Sequence, residues 1–436
     1  MKITLLLNRS YFSRRWLGIP ALLCLSLITQ YAAAQALGPA VQPGDTFSVT
    51  AGTTFLYDTN IFRLNPQIPP ALVTGKDTRA DQVITTTATL NVNKLYSLQR
   101  FEINASLVDN RYHNFDYLDF LGKNGTATWH WSLTPYLYGR LTGNHREALQ
   151  NFADITGFLN STTKNLRTDN NARFDAVLEL DGAWRLIGGV AYDVRTNSRL
   201  LVQDFDNSVF SVEGGLRYAF PSGSSLTYKV RQGYGDFYKR PEPIQATLFD
   251  NRFDETEHEL RLIWPVTGKS SIDARVGHFA RKHPHFPERD FDGFVGNFNL
   301  NWAVTSKTRA VLGWARDLAN FQTAPGSFQN NPFYQQFSSS YVSINRVFLA
   351  PVWQITEKVA LRLRYDFMMR DHLGAVVFVP GGDRNDTQHS GLLALDWQPL
   401  RALFISGALQ RDHRSSDHRG FNYDSSAASI SARLNF

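Results

Sequence analysis

The sequence predicts an all-β protein, specifically a transmembrane outer-membrane antiparallel β-barrel of about 18 strands (16–18). Three observations predict it. Apolar and polar residues alternate with period two over most of the chain. Long polar connections alternate strictly with short ones. Aromatics reach 13% of the residues although no stretch after the first 34 is apolar for 18 residues, so strands and not helices would carry the lipid contact.

At the N-terminus, Lys2, Arg9, Arg14 and Arg15 precede an apolar run from Trp16 to Ile28, followed by Ala32-Ala33-Ala34 before Gln35. This reads as a secretory signal peptide over 1–34, cut after Ala34. Residues 35–45 read as a periplasmic N-terminal segment and 46–436 as the barrel. Cys24 is the only cysteine, which leaves the mature chain without disulfides or thiolate metal sites. Four of the 45 basic residues fall in the signal. The mature chain is thus nearly neutral, unlike a nucleic-acid-binding protein.

The strands justify themselves by face. In VALRLRYDFMMR, Val359, Leu361, Leu363, Tyr365, Phe367 and Met369 share one side, and Arg362, Arg364, Asp366 and Arg370 the other. The segments 208–220, 184–195 and 226–234 behave alike. Charges keep to one face, because an Arg or Lys facing mid-bilayer costs roughly 2–4 kcal/mol. Short connections fall near 95–98, 133–136, 180–183, 220–224, 265–269, 304–307, 355–358 and 399–401. Long ones fall near 57–79, 113–120, 148–167, 196–207, 237–252, 281–289, 318–338, 370–386 and 413–423. That alternation gives periplasmic turns and external loops.

Several short turns follow a Trp-x-x-Thr-x-Lys scheme, at Trp264, Trp302 and Trp353, with looser versions at Trp131 and Trp397. These tryptophans are expected to form the inner-leaflet aromatic belt. The final strand places Ile430, Ala432, Leu434 and Phe436 on one face. Its expected partner is the strand from Thr46 to Leu56, since an open edge cannot sit in lipid. Phe436 is expected to be the recognition end for the barrel-assembly machinery.

The expected lumen carries Arg185, Arg195, Arg217, Lys229, Arg231, Arg275, Arg309, Arg362, Arg364 and Arg370, opposed by Asp193, Glu213, Asp273, Asp317 and Asp366. Taken one at a time, these charges are expected to pair across strands. Taken together, they bias a pore toward anions. Glu255, Glu257 and Glu259 read as a solvated rim face, or else as a calcium site. His389-Ser390 resembles a hydrolase pair in composition only, since neighbouring strand residues point to opposite faces. No catalytic, cofactor or metal residue is assigned. Tyr112, Phe115, Tyr117, Phe237 and Tyr238 read either as a surface along which a sugar chain slides or as an outer-leaflet belt.

The stretch GDTFSVTAGTTFLYDTNIFRL from Gly44 to Leu64, with Asp45-Thr46-Phe47, Ala51-Gly52 and Tyr57 to Leu64, resembles the opening of EpsL-type exopolysaccharide outer-membrane proteins, the exosortase-B-associated family. The resemblance extends weakly over the mature chain. It implies biosynthesis or export of extracellular polysaccharide, with a passive secretion channel for the polymer and periplasmic polysaccharide-export components as partners. The alternative is a general or anion-selective porin for solute uptake.

Overall fold

The computed structural model describes residues 46–153, 163–240, 243, 248–323 and 331–436. The signal peptide and the 35–45 segment lie outside the described residues. The described residues hold eighteen strands in one sheet. They are β1 (Phe47–Asp58), β2 (Asp81–Tyr96), β3 (Gln99–Tyr112), β4 (Phe120–Ser132), β5 (Leu137–Leu149) and β6 (Leu166–Glu179). Next come β7 (Trp184–Asn197), β8 (Asn207–Ala219), β9 (Ser225–Asp236), β10 (Arg252–Thr267), β11 (Ser270–Lys282) and β12 (Phe291–Ala303). The last six are β13 (Thr308–Asn320), β14 (Tyr341–Gln354), β15 (Val359–Leu373), β16 (Arg384–Trp397), β17 (Leu403–Ser416) and β18 (Tyr423–Asn435).

Each strand pairs antiparallel with its sequence neighbours, and β1 closes on β18 from Thr50–Asn435 to Asp58–Ala427. Phe436 extends the seam, exchanging backbone hydrogen bonds with Val49 at 2.8 and 3.1 Å. Closure leaves no unpaired strand edge, which lipid would not tolerate. The outer surface is oily: Phe55, Leu107, Leu141, Leu216, Leu260, Leu312, Leu363 and Ile430 all stand exposed on it. Together they form the hydrocarbon-facing band of an outer-membrane barrel.

Trp184, Trp264, Trp302, Trp353 and Trp397 project outward at the short-turn ends. Trp131 differs from its expected role. It lies flat and buried at 7% exposure, stacked on Phe174 with ring centroids 5.4 Å apart. Gly139 makes the space, since a Cβ there would lie 2.6 Å from the Trp131 ring. The recurring Thr-x-Lys has a local cause. The hydroxyls of Thr267, Thr305 and Thr356 accept the backbone N–H of Lys269, Lys307 and Lys358 at 3.1, 3.2 and 3.2 Å, a side-chain-closed turn. Each of those lysine carbonyls then accepts a backbone N–H from the next hairpin at 2.7–2.8 Å, tying neighbouring turns together.

The long connections fold into the barrel mouth. Phe62 and Leu64 of the 59–80 loop pack with Phe115, Leu118 and Phe152 of two other loops. A second core joins Ile68, Tyr334, Phe337 and Phe421. The 59–80 loop also contains a single helical turn, α1 (Pro70–Thr74), ended by Gly75 at φ 73°, a left-handed position that glycine adopts without strain.

Candidate functional site

The inner wall of the barrel is the candidate site. Two stretches of it differ in chemistry beneath the loop cap. From β18 through β5 the middle of the wall is uncharged. Thr54, Thr85, Thr87, Thr89, Asn91, Asn104, Ser106, Asn124, Thr126, Thr142 and Ser429 face inward there by strand parity. Their side chains bond across strands: Thr85 to Asn110 at 2.9 Å, Thr126 to Asn144 at 2.9 Å and Thr50 to Asn435 at 3.0 Å. Hydroxyl and amide groups both donate and accept, so the surface stays wettable without net charge.

From β5 to β11 the wall is a ladder of alternating charge. Arg140 meets Asp175 at 3.1 Å, and Asp175 meets Arg173 at 2.7 Å. Arg173 pairs with Glu213, which holds Lys229 at 3.0 Å. Lys229 lies 3.8 Å from Glu259, and Arg275 joins Glu259 at 2.8 Å while also pairing with Glu257. Arg231 reaches Glu257 at 3.4 Å and Glu255 at 3.3 Å, and Arg281 completes the run on Glu255. The contact between Arg173 on β6 and Glu213 on β8 crosses β7, where the inner position is Gly189. A Cβ there would sit 3.4 Å from the Glu213 side chain and 2.9 Å from Phe174 O.

All ten basic residues singled out in the sequence sit at inner-face positions, most of them in ion pairs. Arg185 bonds Glu179 at 2.9 Å and Arg195 bonds Asp169 at 2.8 Å. Lys229, Arg231 and Arg275 belong to the ladder. Arg362 clamps Asp396 with two hydrogen bonds, and Arg364 holds Asp366 at 2.6 Å. Arg370 is buried with its Nε 3.3 Å from Met368 Sδ. Arg217 instead donates to the Thr227 hydroxyl at 3.1 Å, and Arg309 is exposed. Of the expected acids, Glu213 and Asp366 take these bases, Asp273 takes Arg261, and Asp193 accepts from Asn171 at 2.7 Å.

Two expectations are corrected, and the opposite facing of His389 and Ser390 is as expected. Glu255, Glu257 and Glu259 are neither a solvated rim nor a calcium site, because four cationic side chains of β9 and β11 occupy their oxygens inside the lumen. Tyr112, Phe115, Tyr117 and Phe237 form neither a sliding surface nor an outer belt, while Tyr238 stays exposed. Phe115 is fully buried in the loop core, with Tyr112 and Tyr117 packed on it. Phe237 lies buried under the Arg240 guanidinium at 3.7 Å, and the Tyr238 hydroxyl donates to Arg195 O at 3.2 Å. His389 points outward to the Tyr365 hydroxyl at 2.7 Å, whereas Ser390 points inward beside Gln388. The two cannot share a substrate.

The cap rests on buried arginines that the sequence did not single out. Arg289 donates to Leu248 O, Thr323 O and Ser339 O at 2.9, 2.9 and 3.1 Å, joining three loops. Arg414 of β17 donates to Phe421 O at 2.7 Å and to Ala153 O, in the loop after β5, at 2.6 Å. Arg384 pairs with Asp386, both fully buried, and stacks on Phe421 at 3.7 Å. Burial pulls Arg289 down to about 10 and Arg240 to about 9, so both stay cationic at neutral pH. Burial likewise pulls His283 down to about 3, holding it neutral beside Phe253 and Gln322. Arg240, His283 and Arg289 lie in loops, which carry no period from which burial is read, and Arg384 and Arg414 are strand residues buried only because loops fold over them.

No protein-family model matches the chain, and no curated protein matches it. Among solved structures the chain is similar to OccK1 (OpdK) of Pseudomonas aeruginosa, at 12% identity and TM-score 0.45, over 89% of this chain and 99% of that one. It is similar to OccK2 (OpdF) of the same organism at 11% identity and TM-score 0.48, over 90% and 98%. It is also similar to a BenF-like porin from Pseudomonas fluorescens at 10% identity and TM-score 0.48, over 89% and 98%. Nothing about this barrel's cargo follows from them.

Proposed function

We propose that this outer-membrane barrel is a passive, porin-like channel for small hydrophilic solutes, biased toward anions. The observation that carries the reading is the inner wall. A hydroxyl–amide surface and a self-compensated ion-pair ladder together line a barrel whose outside is apolar. A barrel of this strand number is wide enough for an aqueous passage. Paired charges keep the wall polar without holding any one ion, as conduction requires. The mechanism needs no bond making, so no residue is given a catalytic role.

The polysaccharide-export reading asks for a mouth that passes a polymer. The loop cores around Phe62 and Phe337 fill part of that mouth, which favours small solutes. The test is ionic current across a planar bilayer holding the purified barrel, together with liposome swelling in sugars and amino acids. Stepwise current and swelling support the porin reading. A silent barrel, in a strain whose gene deletion strands polymer in the periplasm, would favour export.

A further inference from the structure

Three lumen arginines stand outside the ion-pair pattern. Arg217, Arg309 and Arg433 each face inward within two residues of the short-turn end of their strands. Arg217 faces Arg185 directly across the β7–β8 pair, like charge against like, and its side chain donates to the Thr227 hydroxyl. Arg309 lies opposite Ala303 and Val352, which offer it no acceptor side chain. Arg433 lies between Phe404 and Gly52, its guanidinium 4.9 Å over the Phe404 ring, with buried Nε and Nη2 making no hydrogen bond. Among the described residues none of the three forms an ion pair. Other arginines at this level do: Arg100 with Glu102, Arg185 with Glu179, Arg261 with Asp273 and Arg362 with Asp396.

The strands involved are β8, β13 and β18. Around the closed sheet they stand five, five and eight strands apart, so no half of the mouth lacks one of the three charges. The adjoining turns add Lys269, Lys307, Lys358 and Arg401 against Asp181 and Glu357. A guanidinium left without a carboxylate in a partly dry wall is a ready site for an oxyanion. At the outer mouth, by contrast, the buried Arg289 and Arg414 are bonded to loop carbonyls and Arg384 is paired with Asp386.

We infer that Arg217, Arg309 and Arg433 form an anion-capturing ring at the periplasmic mouth, which selects carboxylate- or phosphate-bearing solutes on that side. This deepens the channel reading and rests on it. The ring makes the channel electrically asymmetric: anions concentrate where the periplasm meets the lumen, while the mid-wall ladder neither gains nor loses charge as they pass.

Inorganic tripolyphosphate, added to one side of a bilayer at a time, is the probe. The wild-type barrel is expected to be blocked at about ten-fold lower concentration from one side than from the other. In Arg217→Gln/Arg309→Gln/Arg433→Gln the two sides become equal, and Arg217→Lys/Arg309→Lys/Arg433→Lys restores the difference. Heat-modifiable migration on gels confirms that each variant is a folded barrel. Equal block from both sides of the wild type, or a one-sided block that survives the Gln variant, overturns the ring. A wild-type barrel that carries no current removes the channel reading instead. Tryptophan fluorescence then follows tripolyphosphate binding: weaker binding by the Gln variant keeps the ring, and equal binding removes it.

Discussion

Arg289→Met should release the outer cap while leaving the barrel intact. The guanidinium is fully buried and donates to the carbonyls of Leu248 in one neighbouring loop and of Thr323 and Ser339 in another. A hydrogen bond to a charged donor contributes about 1.5–3 kcal/mol, and a carbonyl left buried without a donor costs a similar amount. The three bonds share one donor group and are not additive, so the net loss is roughly 3–5 kcal/mol. Confined to the cap, that raises local opening on the order of a hundred- to several-thousand-fold. Hydrogen exchange of the Ser339 amide, which donates to the Thr323 hydroxyl at 2.9 Å, reports the opening. Strand amides of β9 and β10 serve as the internal control. Unchanged exchange at Ser339 would refute the latch. Equal acceleration in the strands would show that Arg289 supports the barrel and not the cap.

Four further outcomes are expected. His283 has a side chain with no exposure and a pKa lowered from about 6.5 to about 3 by burial. The unfolded loop therefore binds a proton that the folded loop refuses, and cap stability falls as pH drops from about 6.5 toward about 3, by up to about 4 kcal/mol. Asp250, held low by hydrogen bonds from His285 and Arg252, weakens the cap only at lower pH, in the carboxylate range. His283→Gln should flatten the upper part of the profile, as read by protease sensitivity of the loops. Glu257→Gln leaves Arg231 and Arg275 with one acid each and should lower the urea stability of the refolded barrel by roughly 1–3 kcal/mol; combining it with Arg275→Gln should cost less than the two losses summed. Gly139→Ala would place a Cβ 1.9 Å from Asp175 O. It should destabilise the barrel by more than about 3 kcal/mol, and Trp131→Ala should not rescue it because the clash is with backbone. Phe436→Ser should reduce the fraction of barrel inserted in cells, with little change in the thermal stability of refolded protein, if the terminal aromatic serves assembly.

The barrel was legible because lipid imposes a rule on every second residue. Leu361, Leu363 and Tyr365 could be assigned a face before any pairing partner was known, and so could Arg362 and Arg364. The Trp-x-x-Thr-x-Lys turns were legible because a hydroxyl closing a turn fixes a spacing. Parity gives the face of a residue but not its height or its cross-strand neighbours. Glu257 therefore read as rim, although it lies in the middle of the ladder between Arg231 and Arg275. Gly189 carries meaning only once β6 and β8 are in register on either side of it. The cap was illegible for a different reason. Phe115, Phe237, Arg289 and Arg414 lie in or beneath aperiodic loops, where burial depends on long-range folding of one loop over another.

Alternate-residue labelling along β2 tests the wet-inside, oily-outside cylinder most directly. Single cysteines at Thr85, Thr86, Thr87, Ala88 and Thr89 are introduced one at a time with Cys24 removed. In membranes permeabilised on the periplasmic side, a charged water-soluble maleimide should modify positions 85, 87 and 89. A lipid-phase maleimide should modify 86 and 88. Labelling of all five by the charged reagent, or of none, would contradict the cylinder and every reading of the lumen that depends on it.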